Sequence, residues 1–250
     1  MRFENVSVSR NKKEVLNSIS FEIKKGKLTA LLGRNGSGKS TLIGCLNGQV
    51  KYKGRILLDG IDISEMKIGR KAKEICVLPQ ILPDSPFTVR ELVALGRKPH
   101  MGFASRLNAQ DENAIASAIS MTKLTGFENR PVNRLSGGER QRAFLAMAIA
   151  QDTDLIVLDE ATTFMDASFE AETYDIFNSL TRENGKTVLA VMHNLTCAVN
   201  YADDIAVISD GVISAFGSAG QIRSTQIIET VFGVKKAECV IDGKEKIVYI

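Results

Sequence analysis

The segment that most constrains the fold is a glycine-rich stretch at residues 33–40, GRNGSGKS, which matches the pattern G-x-x-x-x-G-K-[ST]. A short apolar run at residues 28–32 precedes it, and a helix-like run at residues 40–46 follows. Glycines at these positions let consecutive backbone N–H groups turn inward around an anion. The sequence therefore predicts a strand, a phosphate-binding loop and a helix in succession. The alternative is a glycine-rich turn that holds no ligand.

Within this loop each residue type has a chemical role. The side chain of Lys39 would add a positive charge for the β- and γ-phosphates, and the hydroxyl of Ser40 is placed to ligate Mg²⁺. The residues expected to contact the nucleotide are Gly33, Arg34, Asn35, Gly36, Ser37, Gly38, Lys39, Ser40 and Thr41.

The rest of the chain predicts an α/β fold with an antiparallel β preface. Two strand-like runs, at residues 3–8 and 18–23, come before the loop, and strands then alternate with helices. Four later runs are short, apolar and bounded by polar residues, which suits a parallel sheet covered on both faces. These runs are residues 75–78, 155–158, 187–192 and 205–208.

Helical patterns dominate between residues 88 and 150, where helix starts occur at Thr88, Asn108 and Ser136. We interpret this part as a helical insertion. The predicted organisation is a single domain with an α/β core at residues 1–84 and 153–220, a helical subdomain at 85–152 and a C-terminal extension at 221–250. Two strand candidates in the extension, 237–241 and 246–250, flank a turn at Asp242-Gly243.

Composition excludes several classes of function. There are 32 Lys and Arg against 29 Asp and Glu, and the resulting net charge of +3 is too small to predict a nucleic acid partner. The four cysteines form no C-x-x-C pair and lie far in sequence from His100 and His193, so no zinc site is expected. Without an apolar leader or a run of ~20 apolar residues, we expect a soluble chain in a reducing compartment, or one that docks on a membrane protein.

Two carboxylates, Asp159 and Glu160, follow the apolar run at residues 155–158. The carboxyl ends of parallel strands border the ligand crevice of an open α/β sheet. Asp159 would hold Mg²⁺, and Glu160 would act as the general base for a water that attacks the γ-phosphate. Taken alone, the pair is more often a capped turn, but beside a phosphate-binding loop it predicts a catalytic site.

A second possible phosphate cradle lies about a hundred residues after the first. Ser136, Gly137 and Gly138 begin a predicted helix, whose N-terminus could bind phosphate. One nucleotide does not need two cradles. The alternative is structural: Ser136 caps the helix and Glu139 completes a capping box.

Together these strings resemble those of the ATP-binding cassette (ABC) ATPases over nearly the whole chain. The resemblance implies a P-loop NTPase (RecA-like) core with an inserted helical subdomain, and hydrolysis of ATP with Mg²⁺ as cofactor. It also implies that Gln80 reaches the metal and the catalytic site, that Asp166 lies in the loop after the catalytic carboxylates, and that His193 contacts the γ-phosphate. A lone histidine at a strand end is otherwise usually structural.

Finer strings at residues 88–100, 140–151 and 162–166 resemble the ATPase subunits of bacterial iron-siderophore importers, although haem and vitamin B12 importers share much of them. This implies a homodimer with shared ATP sites, integral membrane permease subunits, and indirectly a periplasmic or lipoprotein substrate-binding protein. The chain would then lie peripherally on the cytoplasmic face of the cell membrane. The alternatives are a soluble ABC protein of translation or DNA repair, and a P-loop kinase.

Some residues depart from the family pattern. Arg10 stands where many members stack an aromatic residue on adenine, and its guanidinium plane could also stack on a base. Ala161, Met165 and Asn194 replace the usual Pro, Leu and Asp. None of these changes removes a reacting group.

Overall fold

A computed structural model describes residues 1–11, 13–102, 106–159, 167–241 and 244–250. Its strands are β1 (Arg2–Arg10), β2 (Lys13–Glu22), β3 (Leu28–Leu32), β4 (Lys53–Leu58), β5 (Ile61–Asp62), β6 (Ile75–Leu78), β7 (Leu155–Leu158), β8 (Thr187–Val191), β9 (Asp204–Ser209), β10 (Val212–Ser218), β11 (Lys236–Ile241) and β12 (Lys244–Tyr249). Its helices are α1 (Lys39–Asn47), α2 (Ile68–Glu74), α3 (Val89–Leu95), α4 (Ala109–Met121), α5 (Gly137–Ala150), α6 (Ala167–Arg182), α7 (Leu195–Tyr201), α8 (Ala219–Arg223) and α9 (Ile227–Phe232).

The larger sheet carries the site at one edge. Its strand order is β10-β9-β3-β8-β7-β6, and every neighbouring pair is parallel except β10 with β9. All residues of β3, β7 and β8 are buried, because apolar side chains cover both faces of a parallel sheet. The α/β fold class is confirmed. The carboxyl ends of β3, β6, β7 and β8 therefore lie along one edge.

A smaller antiparallel sheet, in the order β2-β1-β4-β5, packs beside the first. Its inner side chains include Phe3 and Phe21, whose rings stack with centroids 4.6 Å apart. The predicted antiparallel preface is confirmed, but β2 begins at Lys13 rather than residue 18. Strand β4 was not among the predicted runs.

Helices α3, α4 and α5 lie between β6 and β7 and pack against one another. Each begins with a capping box, at Thr88, Asn108 and Ser136, because the capping side chain and the acidic residue three positions later satisfy each other's backbone N–H groups. A buried ion pair joins the turn after α3 to α4: Arg97 Nε lies 2.9 Å from Asp111 Oδ1. The subdomain boundaries themselves stay a prediction.

The C-terminal residues form a separate hairpin of β11 and β12, paired from Lys236 with Tyr249 to Ile241 with Lys244. Strand β12 packs on α7, where the side chain of Asn200 donates to the carbonyl of Ile247 at 2.7 Å. The predicted turn residues, Asp242 and Gly243, lie outside the described residues.

Candidate nucleotide-binding site

The loop after β3 has the backbone that its glycines predict. A Cβ at Gly33 would lie only 2.5 Å from the carbonyl oxygen of Ile208 and from Ser37 Oγ, so no larger residue fits without movement. Gly36 and Gly38 have φ of 80° and 109°, which side chains other than glycine rarely adopt. The glycines therefore bring the loop close to β9 and let it turn into α1.

Helix α1 presents an uncapped N-terminus to this loop. Its N-cap residue, Gly38, has no side chain to accept from the first N–H groups, and the first turn carries no acidic residue. Lys39 is buried, and its ammonium donates to the carbonyls of Gly33 at 2.8 Å and Arg34 at 3.2 Å. The Ser37 hydroxyl is also buried and has no hydrogen-bond partner in the part of the chain described. A buried hydroxyl without a partner, an uncapped helix N-terminus and a positive charge fit phosphate.

Three further candidate residues follow neighbouring strands at the same edge. The N–H of Asp159, after β7, donates to the carbonyl of Leu78 at 2.9 Å, and the Asp159 side chain is buried. Gln80 lies two residues after β6. His193 lies two residues after β8, whose end is held by a hydrogen bond from the N–H of Met192 to the carbonyl of Leu31.

An open cavity of about 660 Å³ brings the loop, Gln80 and His193 together. Its lining residues are Val15, Asn35, Gly36, Gly38, Lys39, Ser40, Thr41, Gln80 and His193. Val15 on β2 was missed in the sequence analysis, because only the packing of the two sheets brings β2 to the loop. Arg10 is exposed at the end of β1 and is not among these lining residues.

Ser136 lies outside this cavity in its own chain, as do Gly137 and Gly138. The Ser136 hydroxyl and N–H both donate to Glu139 Oε2 at 2.8 Å, and the N–H of Glu139 donates back to Ser136 Oγ at 3.3 Å. These bonds hold the pKa of Glu139 below its ordinary value. The structural alternative, a capping box, is therefore present, and Gly137 beside it is exposed with open space where a Cβ would stand.

Two candidate residues, Glu160 and Asp166, lie outside the described residues, as do Ala161 and Met165. Their roles stay predictions.

Neither a long apolar helix nor a metal-binding cluster occurs in the described ranges. No helix there is long and apolar enough to cross a membrane. No group of three or more His, Cys, Asp or Glu side chains there could hold a metal ion.

Comparison with known proteins gives a family. Residues 16–163 match the family model described as ABC transporter. The achromobactin transport ATP-binding protein CbrD of Dickeya dadantii is 37% identical over 223 residues, which are 88% of this chain and 82% of that protein. The iron(3+)-hydroxamate import ATP-binding protein FhuC of Bacillus subtilis is 35% identical over 244 residues, 96% of this chain and 90% of its own length.

Solved structures agree on the fold. A chain of an ABC transporter assigned to the metal-chelate type, in an inward-facing conformation, matches with a TM-score of 0.86 at 23% identity, covering 100% of this chain and 96% of its own. At that identity the likeness shows the fold alone. The family model covers more than half of the chain, and both relatives exceed 30% identity over most of it. The chain belongs to the ABC transporter family, as an ATP-binding and ATP-hydrolysing subunit.

Proposed function

We propose that this chain hydrolyses ATP to drive the import of iron(III)-siderophore complexes through a membrane permease. The observation that carries the proposal is the single cavity where Lys39, Gln80 and His193 meet. The two relatives compared above are named for achromobactin transport and for iron(3+)-hydroxamate import, which supports a ferric chelate as cargo.

The candidate site residues divide the steps of this reaction among them. The loop N–H groups and Lys39 bind the phosphates, and Val15 offers an apolar contact for the nucleotide. Ser40, Gln80 and Asp159 supply hydroxyl, amide and carboxylate oxygens, which are the donors that Mg²⁺ prefers, and the ion would neutralise phosphate charge. Glu160 accepts the proton of the attacking water, and His193 donates to the γ-phosphate.

Three residues at the start of α5, which we call the signature residues, support a site shared between two copies of the chain. Ser136, Gly137 and Gly138 lie at an exposed helix N-terminus outside the cavity of their own chain. In the proposed homodimer they cover the ATP held by the partner's loop, together with Asp166. ATP then closes the dimer, and hydrolysis releases it.

A groove beside α1 and α2 supports docking on a permease. It has a volume of about 820 Å³, and apolar residues such as Val50, Met66 and Ile68 line it. Ile68 is 89% exposed, an unusual exposure for a large apolar side chain. Gln151, at the end of the helical segment, donates to the carbonyl of Ala72 on α2 at 2.7 Å, so the groove is tied to the part that carries the signature residues.

The test is iron uptake. Deleting the gene should abolish uptake of labelled ferric siderophore, and expressing the wild-type chain should restore it. A chain with Glu160→Gln keeps its shape but lacks the base, so its ATP hydrolysis should fall by ~10²-fold or more and uptake should not return.

Parallel uptake assays with haem and vitamin B12 distinguish the two alternative cargoes. Loss of haem or B12 uptake with iron-siderophore uptake intact would contradict the proposed cargo. Full complementation by Glu160→Gln would contradict the proposed base.

A further inference from the structure

Asn194, the residue after His193, makes two hydrogen bonds that use both ends of its amide. Its Oδ1 accepts from the N–H of Cys197 at 3.0 Å and so caps α7. Its Nδ2 donates to Glu170 Oε2 on α6 at 2.9 Å. Because a backbone N–H can only donate, the first bond fixes which end is oxygen, and the nitrogen must face Glu170.

Glu170 is itself held in place. Its other oxygen, Oε1, accepts from the hydroxyl of Tyr174 at 2.8 Å. Tyr174 is fully buried, and its ring stacks on Tyr201 at the last position of α7, with centroids 4.9 Å apart. The carboxylate therefore stands on a rigid support that joins α6 to both ends of α7.

We propose that Asn194 and Glu170 are a pair of positioning residues that hold His193 at the nucleotide cavity. His193 lines that cavity and is the immediate neighbour of Asn194, so the paired amide fixes the backbone from which the imidazole projects. This inference rests on the proposed role of His193 at the γ-phosphate.

The pairing with Glu170 also gives a reason for Asn194, which stands where the family usually has Asp. An aspartate at position 194 would keep the cap on α7 but would turn the donor facing Glu170 into a second carboxylate. Two carboxylates at this distance repel each other. In this chain, therefore, an aspartate at position 194, although usual in the family, should lower the activity.

The test uses the full chain and compares ATP hydrolysis at saturating MgATP. Asn194→Asp should lower kcat about tenfold and leave the Kd for MgATP within about twofold, because the phosphate-binding loop is untouched. The double variant Asn194→Asp with Glu170→Gln reverses donor and acceptor: the new glutamine amide donates to Asp and accepts from Tyr174. Its kcat should return to within about threefold of wild type.

Asn200→Asp is the matched control on the same helix. It removes the donor to the carbonyl of Ile247 at the end of α7 away from His193, so it should lower the melting temperature while kcat at 25 °C stays within about twofold of wild type. A merely structural role for Asn194 would give both Asn→Asp variants the same kcat.

Wild-type kcat in Asn194→Asp, or a double variant as impaired as the single one, would overturn the pairing. His193→Ala, measured beside them, distinguishes failure of the proposed role of His193 from failure of the positioning role of Asn194 and Glu170. If His193→Ala retains full activity, the proposed role of His193 fails. If it is inactive while Asn194→Asp is active, only the positioning role fails.

Discussion

At the scale of single residues, the candidate site depends on a buried charged side chain, that of Lys39. Lys39 is only 5% exposed, and its ammonium donates to two backbone carbonyls. Carbonyl oxygens satisfy the ammonium donors without neutralising the charge. Lys39 also lines the cavity, so its charge can pair with phosphate groups that enter it.

Replacing Lys39 with Ala should weaken MgATP binding by roughly tenfold to a hundredfold, because a charge-assisted contact to phosphate is lost. Hydrolysis should fall with it. Isothermal titration of MgATP measures the affinity, and Lys53→Ala, at an exposed lysine on β4, is the control for loss of one positive charge. Equal affinities in the Lys39 variant and the wild type would contradict the assignment of this loop.

At the scale of elements, the sequence predicted best where one signal dominates. Strands β3, β6 and β7 have their predicted bounds, because each is a short, mostly apolar run with a polar or turn-forming residue at each end. Strand β2 begins five residues earlier than predicted, since Asn17 and Ser18 interrupt the apolar alternation, and Ser18 has a φ of 49°. Strand β10 was not predicted, because Gly217 and three serine and alanine positions interrupt the apolar pattern that is typical of a strand.

In the candidate site, too, some residues could be predicted from the sequence and others could not. The loop, Asp159 and His193 could be placed at one sheet edge, because the strand pattern alone puts the carboxyl ends of parallel strands together. Gln80 was predicted only through the family resemblance. Val15 and the pairing of Asn194 with Glu170 could not, since both depend on contacts between elements that are distant in sequence.

The helical segment makes an element-scale prediction about pH. The backbone N–H of Asn108 and the Arg97 guanidinium donate to Asp111 and hold the pKa of that carboxyl below its ordinary value of 3.8. A lowered pKa means that the ionised form is favoured in the folded chain. This stabilisation is complete above the unfolded pKa and is lost as pH falls through the folded one.

Asp111→Asn should therefore lower the melting temperature at pH 7, because Arg97 stays buried without its carboxylate. The difference from wild type should persist down to about pH 5 and shrink below about pH 4. Thermal unfolding from pH 7 to pH 3 measures it. Glu112→Gln, in the exposed pair with Arg90 one residue along α4, is the control and should shift the melting temperature little. A difference in melting temperature that grows as pH falls would contradict the lowered pKa of Asp111.

At the scale of the whole molecule, the proposed shared ATP site requires a second chain. The loop at α1 lines the cavity, whereas the N-terminus of α5 lies outside it and is exposed. A bulky charge at Ser136 would also remove the cap on α5. Gly137 is the better position for blocking the partner, because a Cβ there meets no atom within 4 Å.

Gly137→Arg should therefore leave the chain folded and able to bind MgATP, but unable to close on a partner's nucleotide. Mixed with Lys39→Ala, it gives heterodimers in which one shared site carries both lesions and the other carries neither, so part of the ATPase activity should return. A site within one chain predicts one lesion in each site and no recovery. The measurement is ATPase rate against mixing ratio, with the permease present. Rates that fall on the straight line between the two variants contradict a shared site, unless strict coupling of the two sites conceals the recovery.

Cysteines at Asn35 and Gly137, in a chain with Cys239→Ser, resolve that case: they should crosslink between chains only with ATP. Cys45, Cys76 and Cys197 should stay silent in this assay, since burial raises the pKa of each thiol, to about 11 for Cys45 and Cys197 and about 12 for Cys76.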